Sequence, residues 1–182
     1  MNTKPYLAAA GLLLAALSSV SAADPAYMKV VGQRSGQIQG DVTTKGLEGT
    51  IEVLQLSHEI ISPRDPASGL PTGKRQHKPL QATLTLDRSA PLLINSLITN
   101  ENLTSVEIDF YRKDAKGFLY KAFTIKLTNA SMASVKVVQP DVKDPANAAS
   151  TQTLDVSFTY EKIEWTWLNG GVTASDDWEQ RA

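Results

Sequence analysis

Residues 153–168, TLDVSFTYEKIEWTWL, limit most strongly what this chain can fold into. Leu154, Val156, Phe158 and Tyr160 alternate with polar residues, the period of a strand with one apolar and one wet face. A helix would scatter these four around its circumference. Ile163, Trp165 and Trp167 continue the alternation with opposite parity, so a bulge is expected near Glu161.

The same period recurs along the chain. Leu80, Ala82, Leu84 and Leu86 alternate with Gln81, Thr83, Thr85 and Asp87. Residues 51–61 (IEVLQLSHEII) alternate on either side of a slip after Val53, again the mark of a bulge. Residues 26–32 read as a first strand. Residues 33–49, rich in glycine and threonine, read as a loop with a short strand near Ile38. Residues 106–112 and 118–127 flank Lys113-Asp114-Ala115-Lys116-Gly117, a polar connection suited to a hairpin. A further short strand is read at 134–138 and a loop at 139–150. Residues 89–100 are the helix candidate, with Ser89 as cap and Pro91 in the first turn. Leu93, Leu97 and Ile98 would share its buried face, and Asn100 and Asn102 mark its exit. The count is about seven strands and one helix, with no strand–helix alternation to build a parallel sheet. The predicted fold is mostly β: a compact antiparallel β-barrel with one packed α-helix, or alternatively a sandwich.

Between two of these strands lies 62–79, SPRDPASGLPTGKRQHKP. Four prolines and two glycines, with charged residues and no apolar run, cannot form a core element. A loop of this length is uncommon inside a domain. It reads either as a surface excursion or as an extended arm that orders only against another subunit. Proline favours the arm, because it lowers the entropy lost on ordering.

The first residues bear on compartment. Lys4 precedes an apolar run over 6–17, and Val20-Ser21-Ala22 are small residues placed as a signal peptidase prefers. Residues 1–22 therefore read as a signal peptide, leaving 23–182 as one domain; cleavage after Ala23 is the alternative. Losing Lys4 takes the basic count from 18 to 17 against 19 acidic residues, a net charge of −2. That balance offers nothing to nucleic acid or an anionic membrane. The apolar run is too short for stable membrane insertion. With no cysteine, thiolate catalysis and disulfides are excluded.

No reactive constellation is legible. His58 and His77 are the two histidines, one in a strand pattern and one in the proline-rich loop, and they read as isolated. Asp176-Asp177 reads as solvated charge. Trp165, Trp167 and Trp178 suit sheet and terminal packing better than a binding platform. Gly36, Gly40, Gly46 and Gly49 lack the context of a phosphate loop, and no metal-ligand spacing appears. The expectation is no enzyme, no cofactor and no metal.

Several of these residues resemble a known family. The loop 62–80 is similar to the signature loop of the Hcp proteins, which form the inner tube of the bacterial type VI secretion system. The similarity continues through Pro91-Leu92-Leu93-Ile94-Asn95, Phe110-Tyr111-Arg112, Tyr160 to Trp165 (YEKIEW) and Ser175-Asp176-Asp177-Trp178, covering about 26–178. The resemblance implies a β-barrel with one helix. It also implies a homo-hexameric ring that stacks into a tube, carries effector proteins, meets other secretion-system components and is itself secreted. The arm would touch a neighbouring ring, with Arg64, Asp65, Lys74, Arg75 and His77 as contact residues. The leader departs from the pattern, since tube subunits assemble in the cytoplasm. An exported Hcp-like binding protein acting outside the tube, in the periplasm or the medium, is therefore the alternative function.

Overall fold

The strand-rich pattern folds into a barrel that closes on itself. The computed structural model describes residues 24–177; the leader read over 1–22, its cleavage site and Trp178 lie outside the described residues. The strands are β1 (Ala26–Gly32), β2 (Gly36–Ile38), β3 (Ile51–Ser57), β4 (Ile60–Ile61), β5 (Gln76–His77), β6 (Leu80–Thr85), β7 (Leu103–Lys113), β8 (Leu119–Val138), β9 (Thr153–Trp167) and β10 (Val172–Asp177). One helix, α1 (Ala90–Ile98), separates β6 from β7. Six strands pair in the order β9-β6-β3-β1-β7-β8, and β8 pairs back with β9. All these pairings are antiparallel. Closure removes the exposed edges a sandwich would keep, and the barrel, not the sandwich, is what forms. β2 hangs on β1 and β10 on β9, while β4 and β5 make a separate two-stranded ladder.

The interior is filled as the alternation dictates. Met28, Val30, Ile51, Leu80, Leu84, Ile108, Leu127, Leu154, Phe158 and Ile163 form one continuous buried cluster. Each large side chain buried in this way contributes roughly 1.5–3 kcal/mol of transfer free energy, which is what holds the ring of strands closed.

Where the period slips, the structure shows why. In β3, Val53 pairs with Leu84 and Gln55 with Thr83, so Leu54 is the extra residue of a bulge, as expected. The slip in β9 has a different origin. Thr128 pairs with Lys162 and Ala130 with Tyr160, so no residue is inserted near Glu161. Instead both strands switch faces there. Asn129 takes a left-handed φ of 48° and donates from Nδ2 to Glu161 Oε2 at 2.7 Å. The inward set changes from Ile125 and Leu127 to Ala130 and Met132 on β8, and from Ile163 to Tyr160 and Phe158 on β9. The kink at Asn129, and a register shift between Met132 and Ser134, break the alternation of β8. One strand of 20 residues therefore looked like two, at 118–127 and 134–138.

The helix also corrects two expectations. Ser89 sits in helical backbone and makes no side-chain cap. Its N–H and hydroxyl both donate to Asp87 Oδ1, so Asp87 takes the capping role two residues earlier. Ile98 is 75% exposed. It follows Leu93 by five residues, about 140° round the helix, so it faces away. Ala90, Leu93 and Ser96 are buried in its place, with Leu97 packed against the core. At the exit, Asn100 is left-handed at φ 46°, with Glu101 N–H donating to Ser96 O and Asn100 N–H to Leu97 O. This is the Schellman closure expected of an asparagine at that position.

Candidate functional site

The proline-rich stretch 62–79 is a hairpin arm with its own ladder, not a loop that waits for another subunit to order it. Its root is the pairing of Ile60 with His77 and Ile61 with Gln76. Lys78 N–H donates to Glu59 O at 3.0 Å and Thr72 N–H to Pro63 O at 3.0 Å. Arg64 then bridges to Pro71. The tip closes through Asp65 N–H to Leu70 O and Gly69 N–H to Asp65 O, with Gly69 at φ 70° where a side chain would be strained. Asp65 Oδ1 accepts from Ser68 N–H, Ser68 Oγ and Ala67 N–H. These bonds, the Ser68 amide foremost, hold its carboxyl below the usual carboxylate range. Prolines fix φ along both limbs, and the Asp65 turn joins them without any apolar packing.

The base of the arm is tied to the barrel, which the sequence reading missed. Arg75 donates from Nε and Nη2 to the two carboxylate oxygens of Asp176, and from Nη2 to Asp177 O at 3.1 Å. His77 Nε2 lies 2.7 Å from Asp176 Oδ2, and its Nδ1 lies 2.7 Å from the Tyr160 hydroxyl. His58 Nε2, at the end of β3, lies 2.7 Å from the same hydroxyl. Tyr160 is therefore a hub between two imidazoles whose centroids are 6.0 Å apart. It is 8% exposed, and the His77 side chain only 4%. Arg75, then His77, hold the Asp176 carboxyl below its ordinary range. Burial, then Asp176, push the Tyr160 hydroxyl well above its own. Burial, then His77, push the His58 imidazole down.

The two histidines are thus neighbours, and Asp176 is a bonded anchor, not solvated charge. Their partners lie 83 to 102 residues apart in sequence, so no local spacing revealed them. A weak signal existed: His58 continues the parity of Leu56, which packs against the core. Of the five arm residues singled out from sequence, Arg64 and Asp65 stand at the tip and Lys74 is exposed on the return limb. Arg75 and His77 belong to the base. Asp176 accepts from a guanidinium and an imidazole, and Tyr160 couples two imidazoles, so this arrangement fixes an arm in place. Among the described residues no cluster of three or more metal-ligating side chains occurs.

A second surface stands out at one end of the barrel. Phe118, Leu119 and Tyr120, entering β8, are exposed, as are Trp167, Leu168 and Val172 around the β9–β10 turn. Leu168 N–H donates to Ala122 O, which joins the two groups. Arg112 stacks 4.9 Å over the Trp167 ring, while Trp165 packs against the core.

A family model described as "Type VI secretion system effector, Hcp" matches residues 27–167. A curated relative, "Major exported protein" of Pseudomonas aeruginosa, is 41% identical over 165 residues, spanning 86% of this chain and 96% of that protein. Among solved structures, one described as an Hcp protein superposes with a TM-score of 0.80 at 33% identity, covering 87% of this chain and 100% of the other. The secreted protein Hcp3 of Pseudomonas aeruginosa superposes with a TM-score of 0.70, also at 33% identity, over 87% of this chain and 100% of that one.

Proposed function

The chain belongs to the Hcp family of the type VI secretion system, and from that premise we propose that it is a structural subunit of the secretion tube, six copies closing into a ring and rings stacking end to end. The observation that carries this reading is the closed barrel, all of which but Ala26 lies within the family match. The exposed apolar end suits burial against a neighbouring copy, because patches of this kind mark interaction sites. A ring is a cyclic heterologous contact, so each subunit presents two different surfaces to its neighbours.

In this reading the arm meets the adjacent ring through its tip. Arg64, Asp65 and Lys74 orient the contact, and Arg75 and His77 keep the arm at a fixed angle by holding Asp176 and Tyr160. A hairpin ordered before contact loses little entropy on docking. The role is structural, and the lumen of the ring would carry effector proteins. A relative known as an exported protein supports secretion of this one.

The leader adds export through its own signal. Intact mass of the native protein should show loss of 22 or 23 residues, and retention of Lys4 would remove that route. The assembly is tested by electron microscopy of the protein without its leader. Six-membered rings and stacks support the reading, and a field of single barrels rejects it.

A further inference from the structure

Hydrogen-bond directions at the base of the arm follow from what each group can offer. Asp176, held ionised by Arg75, only accepts, so His77 Nε2 carries a proton and donates to it. In the neutral form of His77, Nδ1 is then an acceptor, and it takes the Tyr160 hydroxyl proton. The Tyr160 oxygen in turn accepts from His58 Nε2–H. The chain runs His58 to Tyr160 to His77 to Asp176, with His58 Nδ1 outside it.

A proton added at His58 Nδ1 leaves these bonds in place but changes the charge. Among the described residues no carboxylate bonds to the His58 ring, so the new cation gains no counter-charge in contact with it. Asp176, the carboxylate of the cluster, is already taken by Arg75 and His77, and Asp177 acts on Arg75. The His58 ring lies between Tyr160, His77 and Trp165, at centroid distances of 5.9, 6.0 and 6.4 Å. A charge in that setting is poorly hydrated while the arm is docked, and becomes hydrated once the arm lifts.

We infer that His58 is the trigger of a pH-sensitive latch: with His58 neutral the arm is held against the barrel, and protonation of His58 releases it. The sign follows from linkage. The docked state favours neutral His58, so docking is fully supported above the ordinary histidine value of about 6.5 and weakens as pH falls through it toward the lower docked value. A single proton limits the slope to no more than about tenfold in the docked-to-released ratio per pH unit across that window. The latch is a property of the single chain, so its test needs no assembled ring.

The test is hydrogen exchange followed by nuclear magnetic resonance between pH 7.5 and 5, corrected for the intrinsic pH dependence of exchange. The reporter is the Arg75 Nε–H, which bonds to Asp176 while the arm is docked, with β7 and β8 amides as the control for the barrel. Protection in the arm should fall as pH drops below about 6.5, by at most about tenfold per pH unit, with the barrel unchanged. His58→Gln keeps an N–H donor for Tyr160 and cannot titrate, so its arm protection should be flat over the same range. Nuclear magnetic resonance titration of the His58 ring in the unaltered protein supplies a second reading that needs no variant. Its midpoint should lie below that of an ordinary histidine and coincide with loss of arm protection. Arm protection independent of pH, an equal loss in His58→Gln, or His58 titrating at or above the ordinary value would each overturn the latch.

Discussion

Tyr160→Phe removes one oxygen atom from the base of the arm and nothing else. The phenyl ring still fills its place in the barrel core, so no cavity forms. What is lost is the hydroxyl that meets His58 and His77 at 2.7 Å each. His58 keeps part of its ring at the surface, so the heavier loss falls on His77. The His77 side chain is 4% exposed, so its Nδ1 loses the Tyr160 proton in a site closed to solvent. Losing the partner of a buried acceptor costs about 1–3 kcal/mol. The molecule has a way to limit that cost, because lifting the arm hydrates His77 without opening the barrel. The loss therefore falls on arm docking: at about 2 kcal/mol the lifted population rises roughly 30-fold, while the whole barrel loses no more than the docking energy. Exchange at the Arg75 Nε–H, which donates to Asp176 while the arm is docked, reads the local change. Urea unfolding followed by circular dichroism reads the global one. If Arg75 Nε–H protection and the urea midpoint both match the unaltered protein, the hydroxyl is not the hub, and the account of how the arm is held fails.

Three further outcomes follow from the same structure. Replacing 64–74 with a short Gly-Ser linker, while keeping Arg75 and His77, should leave the β-rich circular dichroism spectrum and single rings intact and abolish stacking seen by electron microscopy; equal stacking would show that the tip is not the ring-to-ring contact. Asn129→Val should destabilise the barrel by about 1–2 kcal/mol in urea and Asn129→Gly by less, because φ is 48° at a position that a β-branched residue cannot adopt without strain. Asp176 has a depressed carboxyl, so its stabilisation is complete above about pH 4 and is lost as pH falls through the lower folded value; Asp176→Asn should flatten that acid segment of the stability profile.

The barrel was legible because its strands are half-buried surfaces with a period of two. Residues 80–86 and 153–160 each carried an inward set that the structure keeps. The parity slip after Val53 correctly marked a bulge, since an inserted residue leaves its trace in one strand. The slip at Glu161 was read the same way but arises differently. Asn129 on the facing strand makes the matching switch, and a single segment carries no record of its partner. Ser89 had the composition of a cap, yet Asp87 supplied the oxygen, and side-chain identity alone cannot separate the two.

The arm shows the same divide. Its prolines, glycines and charges announced a segment outside the core. Its anchorage depends on His58, Tyr160 and Asp176, which meet His77 only after β3, β9 and β10 are assembled. The ladder of Ile60 with His77 and Ile61 with Gln76 is only two pairs long, so periodicity gave no sign that the arm orders by itself.

The central claim is that this chain is a ring-forming tube subunit, and the absolute mass of residues 23–182 in solution tests it most directly. Light scattering coupled to size exclusion, over a wide range of concentration, should give a particle of six chains. A mass of one chain at every concentration would contradict the claim and leave a barrel with an anchored arm that does not assemble.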